Sequence, residues 1–261
     1  MSTVSKALDL LDLFGRTCPQ IGLSEAARLS GLNKATCHRL LTDLANAGLL
    51  EQVGTSREYR LGPAVLHLAA LREASVPALT AARPVLERLA DSTGETAHVS
   101  LMIGGRLKSV DHAYSSRHTM RVMMSDTDDL PFHATASGLA VLAALPADQR
   151  AGLLAGTLAR LTARTETDPA RIAQRASEVR RLGYAESIGG FQADVHSLAV
   201  PLFGPQERCA GALAIAAPAA RMTPATGRLI RAELIRAGQS ITTQWGGVPP
   251  DDFSASWRRA A

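Results

Sequence analysis

Residues 23–44 read LSEAARLSGLNKATCHRLLTDL, and how this stretch folds decides how the rest of the chain is read. Ser24 precedes a short helical run with Ala27 and Leu29 apolar, Gly31 supplies a turn, and Leu32 and Asn33 lead into a second run. There Cys37, Leu40, Leu41 and Leu44 stand at i, i+3, i+4 and i+7, one face of a helix. The opposite and flanking positions are Lys34, Ala35, Thr36, His38, Arg39 and Thr42. No acidic residue falls between Glu25 and Asp43, whereas Arg28, Lys34 and Arg39 are positive, so the second helix can approach phosphates without repulsion from its own carboxylates. The pattern predicts a helix-turn-helix whose second helix enters the major groove. Its candidate DNA contacts are Arg28, Asn33, Lys34, Ala35, Thr36, His38, Arg39 and Thr42.

Two short amphipathic helices around a glycine turn also occur in proteins that never touch nucleic acid. Residues 48–61 bear on the choice: GLLEQVGTSREYRL is two short runs around a GTS turn, the pattern of a β-hairpin. A hairpin directly behind a recognition helix is a wing, and Arg57 at its tip is placed to reach a phosphate or the minor groove.

The 261 residues suggest two domains or one large one. Apolar residues at 46% are ample for sizeable cores and charged residues at 20% are ordinary for a soluble chain. A net charge of +4 neither requires nor excludes nucleic acid, since the electrostatic footprint is a local patch. Cys18, Cys37 and Cys209 are widely separated and lack any CxxC pairing, which argues against a disulfide framework or a zinc site and for a reducing compartment. No secretory signal pattern leads the chain, and the apolar stretch from Phe132 to Ala147 contains His133 and falls short of a membrane span. A cytoplasmic location is expected. No dinucleotide glycine pattern, Walker sequence or HExxH occurs, and no cofactor is expected.

Residues 3–14 predict the first helix, with Val4, Leu8, Leu11 and Phe14 as its periodic positions. Residues 64–72 form a connecting helix, interrupted at 75–77. Residues 78–92 resume a helix with Pro84 near a start or a bend. The period then changes: Thr96, His98, Ser100 and Met102 alternate with Ala97, Val99, Leu101 and Ile103, and a Gly104–Gly105 turn returns the chain through 106–113. A third strand is expected at His118–Met123, before an acidic loop at Ser125–Asp129. Residues 131–145 are a turn and an apolar helix, with a further short helix at 147–155. Asp168 caps another helix, with Pro169 in its first position. Val195–Phe203 and Cys209–Ala217 form a second hairpin, a final helix runs from Pro224 to about Trp245, and 246–261 reads as a frayed tail. The fold class is α+β with a mostly antiparallel sheet. The organisation is 1–62 head, 63–77 linker helix, 78–245 second domain, 246–261 tail.

The blocks NKATCHRLLTDLANAGLL, YRLGP, ARPVLERLADSTGETAHVS, PFHATASGLAVLAALP, VRRLGYAES, ADVHSLAVPLF and GALAIAAPAARMT stand in the order and spacing of one family. From Thr3 to about Trp245 the chain resembles the IclR family of bacterial transcription regulators. The resemblance implies a winged helix-turn-helix, a linker helix and a GAF-like α/β domain that binds a small effector. It also implies a homodimer, or a tetramer, acting as repressor or activator on a palindromic double-stranded operator.

Thr135 can cap the helix beginning near Ala136, leaving the amides of Ala136, Ser137 and Gly138 at the positive end of the helix dipole, where an anion is favoured. In family members that bind small carboxylic acids, these main-chain groups are expected to meet the carboxylate. The alternative is that PFHATASG is only a cap and turn, and that His133 merely satisfies a backbone group. The family's pocket is also lined near Asp194, Val195 and Ser197. Here Ser187 stands where small-keto-acid responders carry a carboxylate, and Ala214 and Ala216 replace serines. These departures make the cavity more apolar and favour an aromatic or longer aliphatic acid over a glyoxylate-like one. A regulator without an effector is the alternative. An enzyme built from His98, Asp111, His112, His133 and Asp194 is remote, since no nucleophile is tied by motif to a base. A purely architectural DNA-bending protein would leave the second domain without a role.

Overall fold

The Ser2 hydroxyl accepts the Ser5 amide at 3.1 Å and starts α1 (Thr3–Leu11). The computed structural model describes residues 2–15, 18–75, 77–124 and 129–260, and the chain forms two units, Met1–Pro77 and Ala78–Ala261. In the first unit, α2 (Leu23–Ser30) ends at Gly31, whose φ of +68° is a left-handed conformation that a side chain would strain. Then α3 (Lys34–Asn46) begins at Asn33, whose side chain accepts the Thr36 amide at 2.8 Å. Cys37, Leu40, Leu41 and Leu44 are all buried, as their spacing predicts, with Leu10, Ile21, Leu50 and Tyr59. Burying each leucine contributes roughly 1.5–3 kcal/mol. The wing follows as β1 (Leu50–Val53) and β2 (Glu58–Leu61), antiparallel, with Ile21 bridging to Tyr59. The linker helix α4 (Pro63–Ser75) starts where the Gly62 amide donates to Leu49 and the Ala64 amide to Gly48.

The second unit opens with α5 (Ala78–Thr93), which carries Pro84 in its interior. Next come β3 (Thr96–Ile103), β4 (Arg106–Ala113), α6 (Ala136–Ala144), α7 (Ala147–Leu153), α8 (Pro169–Leu182), β5 (Ala185–Ile188), β6 (Val195–Phe203), β7 (Cys209–Pro218), α9 (Pro224–Gln244) and α10 (Asp251–Ala260). The five strands pair antiparallel in the order β4-β3-β7-β6-β5. One face of the sheet is covered by α5 and α9, the other by α6, with α8 outside α6. Because α6 lies inside this sandwich, Ala136 to Ala143 are all buried, and the helix is apolar on every side. Gly138 permits the fit: a Cβ there would sit 2.4 Å from the Phe132 Cα.

Four expectations are corrected. In α1, Val4 and Leu8 are exposed and Leu10 is the buried residue; α2 starts at Leu23, one residue before Ser24, and buries Ala26 and Ala27 while Leu29 is exposed. Residues 118–123 form no strand; side chains fix this segment instead, through Thr96 Oγ1 donating to the Val122 carbonyl and Arg221 to that of Met120. The acidic loop before Asp129 and part of the 75–77 interruption lie outside the described residues. The tail is no frayed end: α10 docks against α8, with Phe253 and Trp257 fully buried against Phe203. The Trp257 indole donates to the Gly183 carbonyl at 2.8 Å, and Asp252 pairs with Arg180.

Candidate functional site

On the solvent side of α3, Lys34, Ala35, His38 and Arg39 are exposed. Two other candidates have engaged side chains and a third is half-buried. Asn33 spends its side-chain oxygen on the helix cap, the Thr42 hydroxyl donates to the His38 carbonyl at 2.9 Å, and Thr36 is half-buried. Arg28 forms a two-point pair with Glu25, at 3.0 and 2.5 Å, which offsets its charge. Arg39 stands 4.0 Å from Asp43 in an exposed pair that costs little to break. Arg57 is exposed in the wing turn with φ +58°. Among the described residues the face thus presents Lys34 and Arg39 on the helix and Arg57 on the wing turn, with Arg60 of β2 paired to Glu51.

In the second unit, a cavity of about 90 Å³ opens at the N-terminus of α6. The Thr135 hydroxyl accepts the Gly138 amide at 2.9 Å and donates to the Pro131 carbonyl at 3.0 Å. Among the described residues the Ala136 and Ser137 amides meet no acceptor and are left open at the cavity. Ser187, Val195, Ser197 and Ala216 bring the sheet to the same cavity. The Ser187 hydroxyl donates to the Ala134 carbonyl at 2.8 Å, which leaves only its lone pairs for a guest.

Three predicted positions do not reach the wall. Gly138 has committed its amide to Thr135, Ala214 lies deeper on β7 opposite His98, and Asp194 is exposed with its carbonyl accepting the Ala219 amide. His133 fits the structural reading, since its Nε2 sits 2.9 Å from the Ala159 carbonyl.

Residues the sequence reading did not assign to the cavity complete it. Val122, Met123 and Met124 form an apolar edge, Leu130 and Phe191 close the sides, and His98 enters from β3. That edge is anchored: the Met124 amide donates to the Tyr114 hydroxyl, and Arg221, which holds Met120, is itself gripped by buried Glu95 at 2.7 and 2.6 Å. His98 is 4% exposed, with Nε2 3.3 Å from the Ser137 hydroxyl and Nδ1 without a hydrogen-bond partner among the described residues. Burial, with a smaller contribution from His112 across the strand pair, pushes the His98 imidazole down to about 4. Among the described residues no group of three His, Cys, Asp or Glu could hold a metal ion, and no helix is long and apolar enough to cross a membrane.

A family model for the C-terminal domain of bacterial IclR transcriptional regulators matches residues 70–243, and one for the IclR helix-turn-helix domain matches residues 3–54. The transcriptional regulator BhcR of Paracoccus denitrificans is 29% identical over 95% of this chain and 88% of its own. A solved structure of an IclR-type regulator from a Silicibacter species superposes with TM-score 0.92 at 55% identity, covering 97% of this chain and 99% of that one. An IclR homologue from Microbacterium hydrocarbonoxydans, solved with 4-hydroxybenzoate, shares the fold with TM-score 0.77 at 23% identity, covering 94% and 99%.

Proposed function

Because the chain belongs to the IclR family of bacterial transcriptional regulators, and is thereby a DNA-binding transcription regulator, we propose that it binds a palindromic operator as a homodimer and senses a small organic acid. The observation that carries the ligand reading is the cavity at the start of α6, where two unengaged amides meet a mostly apolar wall. The carboxylate belongs at the amides, where the helix dipole favours negative charge. The body of the acid lies against Val122, Leu130, Phe191, Val195 and Ala216. This wall suits an aromatic or longer aliphatic acid better than a compact polar one. At about 90 Å³ the cavity is smaller than the ~150 Å³ that admits benzene, so such a body displaces the flexible side chains of Met123 and Met124. For the acid to regulate, it must bind the operator-competent and operator-incompetent dimers unequally.

Calorimetry with benzoate, 4-hydroxybenzoate and octanoate tests the site. Ser197→Ala is expected to weaken the tightest of them about ten- to a hundredfold, through loss of one charge-assisted hydrogen bond. Ala216→Leu puts a larger side chain into a cavity already small and should abolish binding while leaving operator affinity of the free protein unchanged. If both variants match the wild type, the acid binds elsewhere; if no acid binds, a regulator without such an effector is the better description.

For the head, Arg39→Ala is expected to weaken operator binding. If Arg39 meets a phosphate, the slope of log affinity against log salt falls by about one, with little change in base preference. Equal affinity at low and moderate salt would remove Arg39 from the interface.

A further inference from the structure

We propose that His98 makes ligand binding proton-linked: an organic acid enters the cavity together with one proton, shared between its carboxylate and the His98 imidazole. This rests on the reading of the cavity as an acid site and adds to it the residue that balances the charge.

None of the residues lining the cavity is Lys, Arg, Asp or Glu, so among the described residues His98 is its one group that can gain a charge at moderate pH. An acid anion there would be opposed only by the helix terminus, worth about half a charge. A buried charge without a full partner is strongly disfavoured, and a proton resolves the imbalance. His98 is built to take it. Its Nε2 is held by Ser137 in the first turn of α6, beside the unengaged amides, while Nδ1 has no hydrogen-bond partner among the described residues although the residue is nearly fully buried. In the empty cavity its depressed affinity for protons keeps the ring neutral at pH 6 and above. A carboxylate nearby reverses that preference.

Among the described residues, the charged groups around His98 are held by other partners. On β4 His112 stands opposite, and its neighbour Asp111 is paired with Arg83 of α5. On β7 the same row is Ala212, Ala214 and Ala216, and α6 carries no titratable residue. Ahead of α6, His133 faces the Ala159 carbonyl and Asp129 is paired with Arg106. The 120–124 segment contributes Arg121, lying over the Tyr114 ring, and Arg221 of the following turn is held by Glu95. On β5 and β6, Glu186 and His196 pair with each other.

Proton uptake is measured by calorimetry of the full-length protein with benzoate, 4-hydroxybenzoate and octanoate at pH 6, in buffers of different ionisation enthalpy. The expected result is more than half a proton taken up per site, with affinity for the bound acid rising about three- to tenfold for each unit the pH is lowered toward 6. In His98→Asn, which keeps a hydrogen-bonding group but cannot take the proton, uptake should vanish and affinity become independent of pH between 6 and 8. Histidine ¹⁵N spectra of the wild type should show one neutral ring become protonated on adding the acid. An acid that binds without proton uptake, or with the same uptake in His98→Asn, overturns the role of His98 and leaves the acid site standing. Failure of all three acids to bind overturns both.

Discussion

Trp257→Ala is expected to destabilise the C-terminal unit by about 3–5 kcal/mol, the range for deleting a buried large aromatic. The indole is fully buried, 6.0 Å from the Phe203 ring and 6.2 Å from Phe253, and its N–H satisfies the carbonyl of Gly183 where α8 ends. Removing it opens a cavity and strands a buried carbonyl, and the two losses add. The remaining tryptophan, Trp245, donates to the Ala78 carbonyl within the same unit and reports its unfolding by emission. Trp257→Phe keeps the ring packing but loses the N–H donor, so it should cost less, about 1–3 kcal/mol. A loss below about 1 kcal/mol in Trp257→Ala, by urea titration, would make α10 an ornament of the fold.

If the proposed homodimer reads a palindromic operator, inserting about five base pairs between its half-sites is expected to weaken binding about 10²–10⁴-fold, and inserting ten should recover part of the loss. One head offers a small contact face, with Lys34, His38 and Arg39 on α3 and Arg57 on the wing as its exposed candidates. On that reading, specific binding at useful concentration depends on two heads engaging one duplex, and half a helical turn puts the second half-site on the wrong side. Gel-shift titrations with the three spacings decide it. Equal affinity for all three would mean that the heads bind independently, or that one suffices.

The head was legible because its folding is local. The spacing of Cys37, Leu40, Leu41 and Leu44 states which side of α3 is inside, and Gly31 and Asn33 state where α2 stops and α3 starts. The cavity was half legible: helix-cap chemistry located Thr135, Ala136 and Ser137. His98 was missed as a cavity residue because strand alternation marks Thr96, His98 and Ser100 as a polar row, whereas all three are buried, Thr96 on the Val122 carbonyl, His98 against Ser137 of α6 and Ser100 on the Ala212 carbonyl. Val122 to Met124 carry no periodicity, and their place depends on bonds from Thr96, Tyr114 and Arg221 that no local pattern encodes. The α10 signal was present but weak. Asp251 and Asp252 in the first turn and Arg258 and Arg259 in the last match the helix dipole, and Phe253 and Trp257 stand at i, i+4.

The pairing of β3 with β7 has a consequence for synthesis. The Ser100 hydroxyl bonds the Ala212 carbonyl across 112 positions of chain, and β7 separates β3 from β6, so the central ladder cannot close until most of the polypeptide has left the ribosome. The head, by contrast, completes its core within the first 62 residues. The nascent regulator can therefore hold a complete helix-turn-helix head while the β3–β4 hairpin of the second unit still awaits β7. Closure of the β3–β7 ladder is therefore expected to lag behind the head, which needs no contact across so long a stretch of chain.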